Sequence, residues 1–435
     1  MGDRSAPLTK PRGRSAVFLL ACSIALVAFM TLRPTEAIVI TPTFCVFCGS
    51  LGAVDFILNI ILFVPLGVTL RWTTGRLRTT ALVGVATTLV IEALQARLIT
   101  GRDASLGDLI ANTLGTLLGA WLGVAVFRWL NASVPDARRH AAAFAIVVSL
   151  VVGVSAFLLQ PLVPRYPQWV QWTPLLTNTD PFRGHLMAVQ LKARTLFDGM
   201  EWLETREAFD PVARSLSMRA QIGTGPPPSS NRHAIIVRIK NTLEEGFSLA
   251  QQGNAVVFRT HMVAARVRLR PLLVGLEGAF PDASIHNEVG ELVIEGHSDP
   301  RGITVRRHSD DVVEVSVRRT AGLAWALIFP WEIALNERWW PANAAWLAAL
   351  IFPVAFLTAR CLRSGDRTPS KVAWWPVGLV VATLIAVPAT GLSPLAIGEW
   401  AGILVGIASG WLLERWTASG SAANLRRTTD PHTTQ

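Results

Sequence analysis

Carboxylate and carboxamide side chains recur in pairs within three apolar segments of the sequence. The first segment, VDFILNIILFVPLG, carries Asp55 and Asn59. The other two pairs are Glu92 with Gln95 and Asp108 with Asn112. Spacings of three or four residues put both members of a pair on one face of an α-helix. Such groups can hold a ligand by hydrogen bonds, transfer protons as an acid and a base, or join helices to one another.

The composition places these segments in a membrane protein. The chain has 435 residues, of which 51% are hydrophobic and only 16% are charged, and its mean hydropathy is +0.40. A soluble protein carries a larger charged fraction. The net charge of +10 does not indicate nucleic-acid binding, because much of the excess lies in short segments between apolar runs. Four cysteines in a chain of this length exclude a disulfide-rich scaffold.

Apolar runs of about 20 residues predict about eight transmembrane helices. They cover residues 16–33, 54–70, 79–97, 106–127, 141–160, 341–361, 373–390 and 395–413. Arginine and lysine concentrate at the N-terminus, after the second, fourth and sixth spans, and in the C-terminal tail, whereas residues 34–54 and 391–394 contain none. Only the loop after the third span breaks this pattern, with Arg97 and Arg102. The positive-inside rule therefore predicts that both termini are cytoplasmic.

This topology predicts that the three polar pairs lie at one depth, in the outer half of the membrane. A carboxylate at the centre of a bilayer costs about 2.5–3.5 kcal/mol on insertion scales, so these groups are not expected to face lipid. They are expected to face one another, a water-filled cleft, or Arg97 and Arg102. One interpretation is an outward-facing polar cleft for a headgroup, a peptide or a glycan. The other is a buried network that orients the helices.

Residues 161–335 form a polar insertion that the topology places outside the cytoplasm. Short runs of β-branched or alternating residues predict strands at 216–222, 234–240, 246–253, 255–262, 291–298, 302–309 and 312–318. Many short strands at this spacing predict a β-sandwich. The apolar run 321–335 contains Pro330 and Glu332, and it predicts the last strand plus an interfacial segment rather than another span.

Part of this insertion resembles a known fold family. The sequence LSMRAQI, followed by HAIIVRIKN and GFSLAQQGNAVVFRTHM, resembles the jelly roll of the concanavalin A/laminin-G type. The resemblance implies an antiparallel sandwich of a kind that often binds glycans. The alternative is a structural or protein-contacting module, since no Ca²⁺-binding or saccharide-binding signature accompanies the pattern.

The polar segments resemble a second family. DFILNIILFVPLG, then EALQ, then GRDASLGDLIANTLGTLLG, with TLRP after the first span, resemble the VanZ-like membrane protein family over about residues 15–128. The family's polar positions correspond to Asp55, Asn59, Glu92, Gln95, Arg102, Ser105, Asp108 and Asn112. The resemblance implies a connection with resistance to the glycopeptide teicoplanin but no defined biochemical activity. The β-domain and three further spans depart from a minimal VanZ-like protein.

Two further patterns concern covalent links and packing. Cys45 and Cys48 form a C-x-x-C pair in the first outer loop, where the sequence is consistent with a local disulfide or with unpaired thiols. Redox or metal chemistry is less favoured, because neither a thioredoxin-like context nor further metal ligands accompany the pair.

Gly115, Gly119 and Gly123 recur at every fourth position, a spacing that lets helices approach closely in lipid.

The sequence therefore predicts a polytopic α-helical protein of the cell (inner) membrane with an extracytoplasmic jelly-roll sandwich between helices five and six. The predicted parts are a cytoplasmic N-terminus (1–15), a VanZ-like domain of five helices (16–160), the sandwich (161–335), three C-terminal helices (336–416) and a disordered cytoplasmic tail (417–435).

The favoured function is non-enzymatic: the polar cleft and the sandwich contact cell-wall glycans, lipid-linked precursors or glycopeptide antibiotics. One alternative is a membrane-embedded enzyme acting on a lipid-linked glycan or phospholipid, with Glu92 or Asp108 as acid or base and Arg102 holding a phosphate. Another is a transporter or an assembly scaffold. Membrane lipids are expected partners, and neither a cofactor, a metal nor nucleic acid is predicted. The sequence leaves the oligomeric state open.

Overall fold

The computed structural model describes residues 13–34, 45–47, 49–99, 105–176, 179–192, 194–197, 201–228, 232–241, 245–280, 290–308, 312–363 and 374–429, with side chains to residue 419. Ten α-helices lie in these residues: α1 Arg14–Thr31, α2 Gly52–Thr74, α3 Leu77–Leu98, α4 Leu106–Leu130, α5 Val134–Leu158, α6 Thr205–Ala208, α7 Val263–Arg266, α8 Trp340–Arg363, α9 Trp375–Ala386 and α10 Ile397–Thr429. Helices α1–α5 and the segment Glu337–Arg363, which contains α8, are long and apolar enough to cross a membrane. The chain is therefore a multi-pass membrane protein.

The seventh and eighth predicted spans differ from the other six. Helix α9 has only 12 residues and continues as the 3₁₀ turn Val387–Thr390. The combined segment Trp375–Thr390 rises about 26 Å, less than a hydrocarbon core of about 30 Å. Helix α10 is long enough but carries two buried acidic residues, Glu399 and Glu414, along its apolar length. A count of eight spans is therefore not confirmed.

By its internal contacts the chain divides into two compact units. The first comprises Met1–Val147, Ala349–Val380 and Leu404–Gln435, and the second comprises Val148–Ala348 and Val381–Ile403. The first unit contains α1–α4, and α1, α2 and α3 share an apolar core of Val27, Phe63, Leu66, Leu70 and Ile91. The second contains all of the described β-strands.

Small residues set the packing of α2 against α4 in the first unit. A Cβ atom on Gly119 would overlap the backbone carbonyl oxygen of Val64, and one on Gly115 would overlap that of Ile60. From the opposite side, a Cβ on Gly67 would overlap the backbone of Thr116. The two helix backbones are therefore in direct contact, as the four-residue glycine spacing predicts.

Thirteen strands lie in the described part of the second unit: β1 Gln168–Trp172, β2 His185–Leu191, β3 Arg194–Leu196, β4 Trp202–Leu203, β5 Phe209–Asp210, β6 Ser215–Gly223, β7 Ala234–Lys240, β8 Glu245–Gln252, β9 Ala255–Thr260, β10 Leu273–Leu276, β11 Glu291–Asp299, β12 Gly302–His308 and β13 Val313–Arg318. A six-stranded sheet has the order β10-β9-β8-β7-β1-β4, and a seven-stranded sheet has the order β13-β12-β11-β6-β2-β3, with β5 beside β6. All seven strands predicted from the short β-branched or alternating runs are present. Strands β1–β5 and β10 were not predicted.

The two antiparallel sheets pack face to face. A Cβ atom on Gly296 in β11 would overlap the ring of Phe258 in β9, on the opposite sheet. Phe247 of β8 and Ile294 of β11 are completely buried, as expected of residues between two sheets. The predicted sandwich of two sheets is therefore present, whereas the more specific jelly-roll resemblance is not confirmed.

The apolar run 321–335 does not form the predicted last strand. Ala321–Ile328 is a 3₁₀ helix, and Leu335 makes an isolated backbone bridge with Val274. The 3₁₀ helix is buried along nearly its whole length, with Gly322 against the Glu399 carboxylate and Trp325 Nε1 donating a hydrogen bond to Asn343 Oδ1 at 2.8 Å. Residues enclosed on several sides cannot extend the edge of a sheet, so the strand prediction was wrong here.

Arg319 joins the two sheets at the end of β13. Its side chain is completely buried. Its Nη2 donates to Thr260 Oγ1 at 3.0 Å and to Ser298 Oγ at 2.9 Å, while Nη1 donates to the carbonyl oxygens of Asp299 and Gly302. Burial lowers the pKa of this guanidinium to about 10, and nearby Asp299 partly opposes the shift. The group is therefore still charged at neutral pH.

Replacing Gly119 with leucine should separate α2 from α4. Overpacking of a close contact typically costs about 1–3 kcal/mol. We therefore expect Gly119→Leu to lower the unfolding temperature of the detergent-purified protein. Gly153→Leu in α5 is the matched control, because no atom lies within 4 Å of a Cβ built there. Equal unfolding temperatures for the two variants would contradict the backbone contact.

Replacing Arg319 with methionine should destabilise the sandwich. The change leaves buried hydroxyls and carbonyl oxygens without donors, and each such group costs about 1–3 kcal/mol, so a total of roughly 2–5 kcal/mol is expected. Arg306→Met is the control, because Arg306 forms an exposed ion pair with Glu314, a class of interaction worth about 0–1 kcal/mol. Denaturant unfolding measures the free energy of unfolding of both variants. If Arg319→Met loses no more stability than Arg306→Met, the role of Arg319 in joining the two sheets is contradicted.

Candidate functional site

The first part of the site is a hydrogen-bonded pair between α2 and α4. Asn59 Nδ2 donates to Asp108 Oδ1 at 2.5 Å. Ser105, the N-cap of α4, donates its hydroxyl to Asp108 Oδ2 at 2.9 Å and accepts the backbone N–H of Asp108 at 3.0 Å. A serine at this position satisfies an N–H that the helix itself leaves unpaired. Among the described residues, Asn59 of α2 and Ser105 of its own turn both donate to the Asp108 carboxylate.

Glu92 extends this pair to α3. Its side chain is buried, and its Oε2 accepts the backbone N–H of Ser105 at 3.1 Å. Its other oxygen, Oε1, is buried without a hydrogen-bond partner among the described residues. Two carboxylates, Glu92 and Asp108, therefore receive hydrogen bonds from one residue, Ser105. We call the chain Asn59–Asp108–Ser105–Glu92 the polar cluster.

Gln95 and Asn112 form hydrogen bonds with two threonines that the sequence did not identify as site residues. Gln95 Nε2 donates to the carbonyl oxygen of Thr31 at 2.9 Å, and Asn112 Nδ2 donates to Thr88 Oγ1 at 2.8 Å. Thr88 lies four residues before Glu92, so helical spacing alone could have placed it on the polar face of α3. The side-chain oxygens of Gln95 and Asn112 are also buried without a partner in the described part of the chain.

The remaining predicted site residues lie outside the polar cluster or outside the described residues. Asp55 is exposed in the first turn of α2, one turn before Asn59. Arg102 lies outside the described residues, so its predicted proximity to the carboxylates stays a prediction. Cys45 is disulfide-bonded, and its expected partner Cys48 also lies outside the described residues. Within the described ranges no group of three or more His, Cys, Asp or Glu side chains is arranged to hold a metal ion.

The chemistry available to the polar cluster is hydrogen bonding and proton transfer. Buried carboxylates in a membrane helix are costly unless donors surround them, and here Asn59, Ser105 and the N-terminus of α4 provide those donors. The unpartnered Oε1 of Glu92 is a hydrogen-bond acceptor in a region already rich in acceptors. A hydroxyl, an amine or a guanidinium would complement it.

Replacing Asn59 with leucine should leave Asp108 with one donor fewer in a partly buried setting. We expect a loss of about 1–3 kcal/mol, because a charged acceptor loses a hydrogen bond while remaining removed from water. Asn131→Leu provides the control, since that asparagine is exposed after the end of α4 and its amide donates at 2.8 Å to a carbonyl of its own helix, that of Phe127, rather than to another helix. Thermal unfolding in detergent measures the difference. If Asn59→Leu is as stable as the control, the link between α2 and α4 has no energetic importance.

Comparison with known proteins supports the family resemblance of the polar segments. No curated protein and no solved structure matches the chain. A family model does match, over residues 8–129, and its description is VanZ/LLP1. The matched residues contain α1–α3, all of α4 except Leu130, and every residue of the polar cluster. The resemblance of this N-terminal part of the chain to the VanZ-like family is therefore confirmed.

Proposed function

We propose that the protein is a non-enzymatic component of the cell envelope that contacts extracytoplasmic ligands. In this proposal the polar cluster forms an outward-facing cleft, and the β-sandwich contacts cell-wall glycans, lipid-linked precursors or glycopeptides. The observation that carries it is the buried Glu92 carboxylate, held beside Asp108 with one oxygen unpartnered among the described residues. Such an arrangement is expensive in a membrane and is expected mainly where a ligand or a further donor completes it.

The predicted topology supports the placement of both parts on one side of the membrane. Basic residues concentrate in alternate loops, and this distribution favours cytoplasmic termini and an extracytoplasmic position for residues 161–335. The N-terminus of α2, the C-terminus of α3 and the N-terminus of α4 would then all be at the outer surface of an inner membrane. The cleft would open toward the compartment that contains cell-wall precursors.

A membrane-embedded enzyme is the second candidate, and one observation favours it. Glu92 and Asp108 share Ser105 as a hydrogen-bond donor, so a proton on one carboxyl group would influence the other. Paired carboxyl groups in different environments are a common acid–base arrangement. A transporter or an assembly scaffold would use the same residues only to bind or to orient helices.

Glycopeptide susceptibility tests the proposed function. We expect expression of the wild-type protein in a sensitised host to raise the inhibitory concentration of teicoplanin several-fold. Glu92→Gln should abolish this protection at equal membrane abundance, because the amide replaces an acceptor oxygen by a donor group. Glu314→Gln is the matched control, since it changes an exposed ion pair of β13.

Three outcomes would contradict the proposal. Protection by Glu92→Gln equal to that of the wild type would exclude the polar cluster from ligand contact. Loss of Glu92→Gln from the membrane would assign the cluster a structural role instead. Turnover of a supplied lipid-linked glycan by the purified wild type, abolished by Glu92→Gln without loss of folding, would establish the enzymatic alternative.

A further inference from the structure

The outer face of the six-stranded sheet carries a row of polar side chains that crosses its strands. Successive pairs in the register are Gln171 with Arg238, Arg238 with Ser248, Ser248 with Arg259, and Arg259 with Leu273. Directly paired residues of neighbouring strands point to the same face of a sheet. The row ends on β10 at the apolar Leu273; with strands about 4.8 Å apart, its polar members from Gln171 to Arg259 span roughly 14 Å. We call it the arginine row.

Two chain segments lie along one side of the arginine row. Leu176 and Ala334 pack on the apolar patch that Ile235, Ala250 and Val257 form on the same face. A pocket of about 370 Å³ lies here, and the side chains that line it include Arg238, Ser248, Arg259, Leu176 and Glu332. The face is therefore a bounded groove rather than a flat sheet surface.

A pair of tryptophans lies on the same face of the sheet, beyond the β1 end of the arginine row. Trp169 and Trp202 are directly paired between β1 and β4, and their ring centroids are 3.8 Å apart. Trp169 precedes Gln171 by two residues, so both point to the same face of the sheet. The side chain of Trp202 is 52% exposed. Exposed indole rings give an apolar surface on which the faces of sugar rings can stack.

The charges of the groove favour an acidic ligand. Three arginines, Arg232, Arg238 and Arg259, line the pocket with two glutamates, Glu245 and Glu332. Glu332 forms an ion pair with Arg259, and Arg238 Nε donates to the neutral Gln171 at 2.6 Å. Arginine guanidinium groups bind carboxylates in a bidentate manner. The pocket also contains His233, whose pKa is lowered by burial, so its imidazole is mainly neutral at pH 7 and adds a hydrogen-bonding group.

The outer face of the seven-stranded sheet lacks this combination. It has a larger groove of about 560 Å³, but its described lining includes no Trp, Tyr or Phe. Its charges pair across strands, Arg219 with Glu295 at 3.4 Å and Arg306 with Glu314 at 2.6 Å. Lys192, the third cation of this lining, pairs with Asp210 at 3.0 Å. Every lysine and arginine of the described lining therefore has a carboxylate partner, and this face provides the control for the other.

We propose that the groove of the six-stranded sheet binds an oligosaccharide that carries carboxylate groups. Trp169 and Trp202 stack on sugar rings, and Arg238 and Arg259 bind the carboxylates. The inference rests on the proposed function, in which the sandwich contacts envelope glycans, and it names the ligand class and the residues.

The test uses the full chain in lipid nanodiscs and measures binding by calorimetry. The probes are tetragalacturonate, a hyaluronan hexasaccharide and an N-acetylmuramate-containing glycan chain, each paired with its carboxyl-reduced counterpart. We expect at least one acidic probe to bind at least tenfold more tightly than its reduced form. Arg238→Gln and Arg259→Gln should remove that difference, and Trp202→Ala should weaken both forms. Arg306→Gln on the other sheet should change neither.

Each contrary outcome overturns a defined part of the inference. Failure of all three acidic probes to bind, or equal binding of the acidic and reduced forms, excludes the acidic ligand class. Saccharide binding that survives Arg238→Gln, Arg259→Gln and Trp202→Ala excludes this groove but leaves the proposed contact with glycans intact. Because Arg238 is buried, thermal unfolding of each variant accompanies binding, and the exposed Trp202 provides a variant that does not depend on core packing.

Discussion

The direct backbone contact between α2 and α4 is the constraint on which the first unit depends. Gly67, Gly115 and Gly119 leave no room for a side chain, so the two helices meet at their backbones. Within lipid there is little hydrophobic gain from burying apolar side chains, and close approach of small residues replaces it. Gly115 lies against Ile60, the neighbour of Asn59 in α2. The same contact that packs the helices thereby brings Asn59 to Asp108.

Buried polar groups specify the structure in both units. In the first unit, Ser105 connects the carboxylates of Glu92 and Asp108 through a single helix cap. In the second, Arg319 connects the two sheets through four acceptors, and Glu399 accepts hydrogen bonds from Thr320, Asn343 and the backbone of Ala396. Each of these groups would be costly to bury alone, so each fixes the position of its partners.

The sequence predicts those features that depend on local pattern. Runs of apolar residues locate the six described helices that are long and apolar enough to cross a membrane. Alternation locates seven strands, and glycine spacing locates the α2–α4 contact. Long-range partners leave no such pattern. The sequence near Thr88 does not indicate that its hydroxyl accepts a hydrogen bond from Asn112 of another helix. The short strands β1 and β4 have no alternation long enough to detect, and the run 321–328 looks like a strand because its enclosure by Asn343 and Glu399 is invisible in the sequence.

A double-mutant cycle between Gly115→Leu and Asn59→Leu tests most directly whether helix packing positions the polar cluster. Unfolding free energies of the wild type, both single variants and the double variant would be measured in detergent. If the contact at Gly115 holds Asn59 against Asp108, Asn59→Leu should cost clearly less once leucine has separated the helices. The predicted coupling is about 1 kcal/mol or more, within the range found for residues that share a network. Additive effects, equal within about 0.5 kcal/mol, would contradict the account.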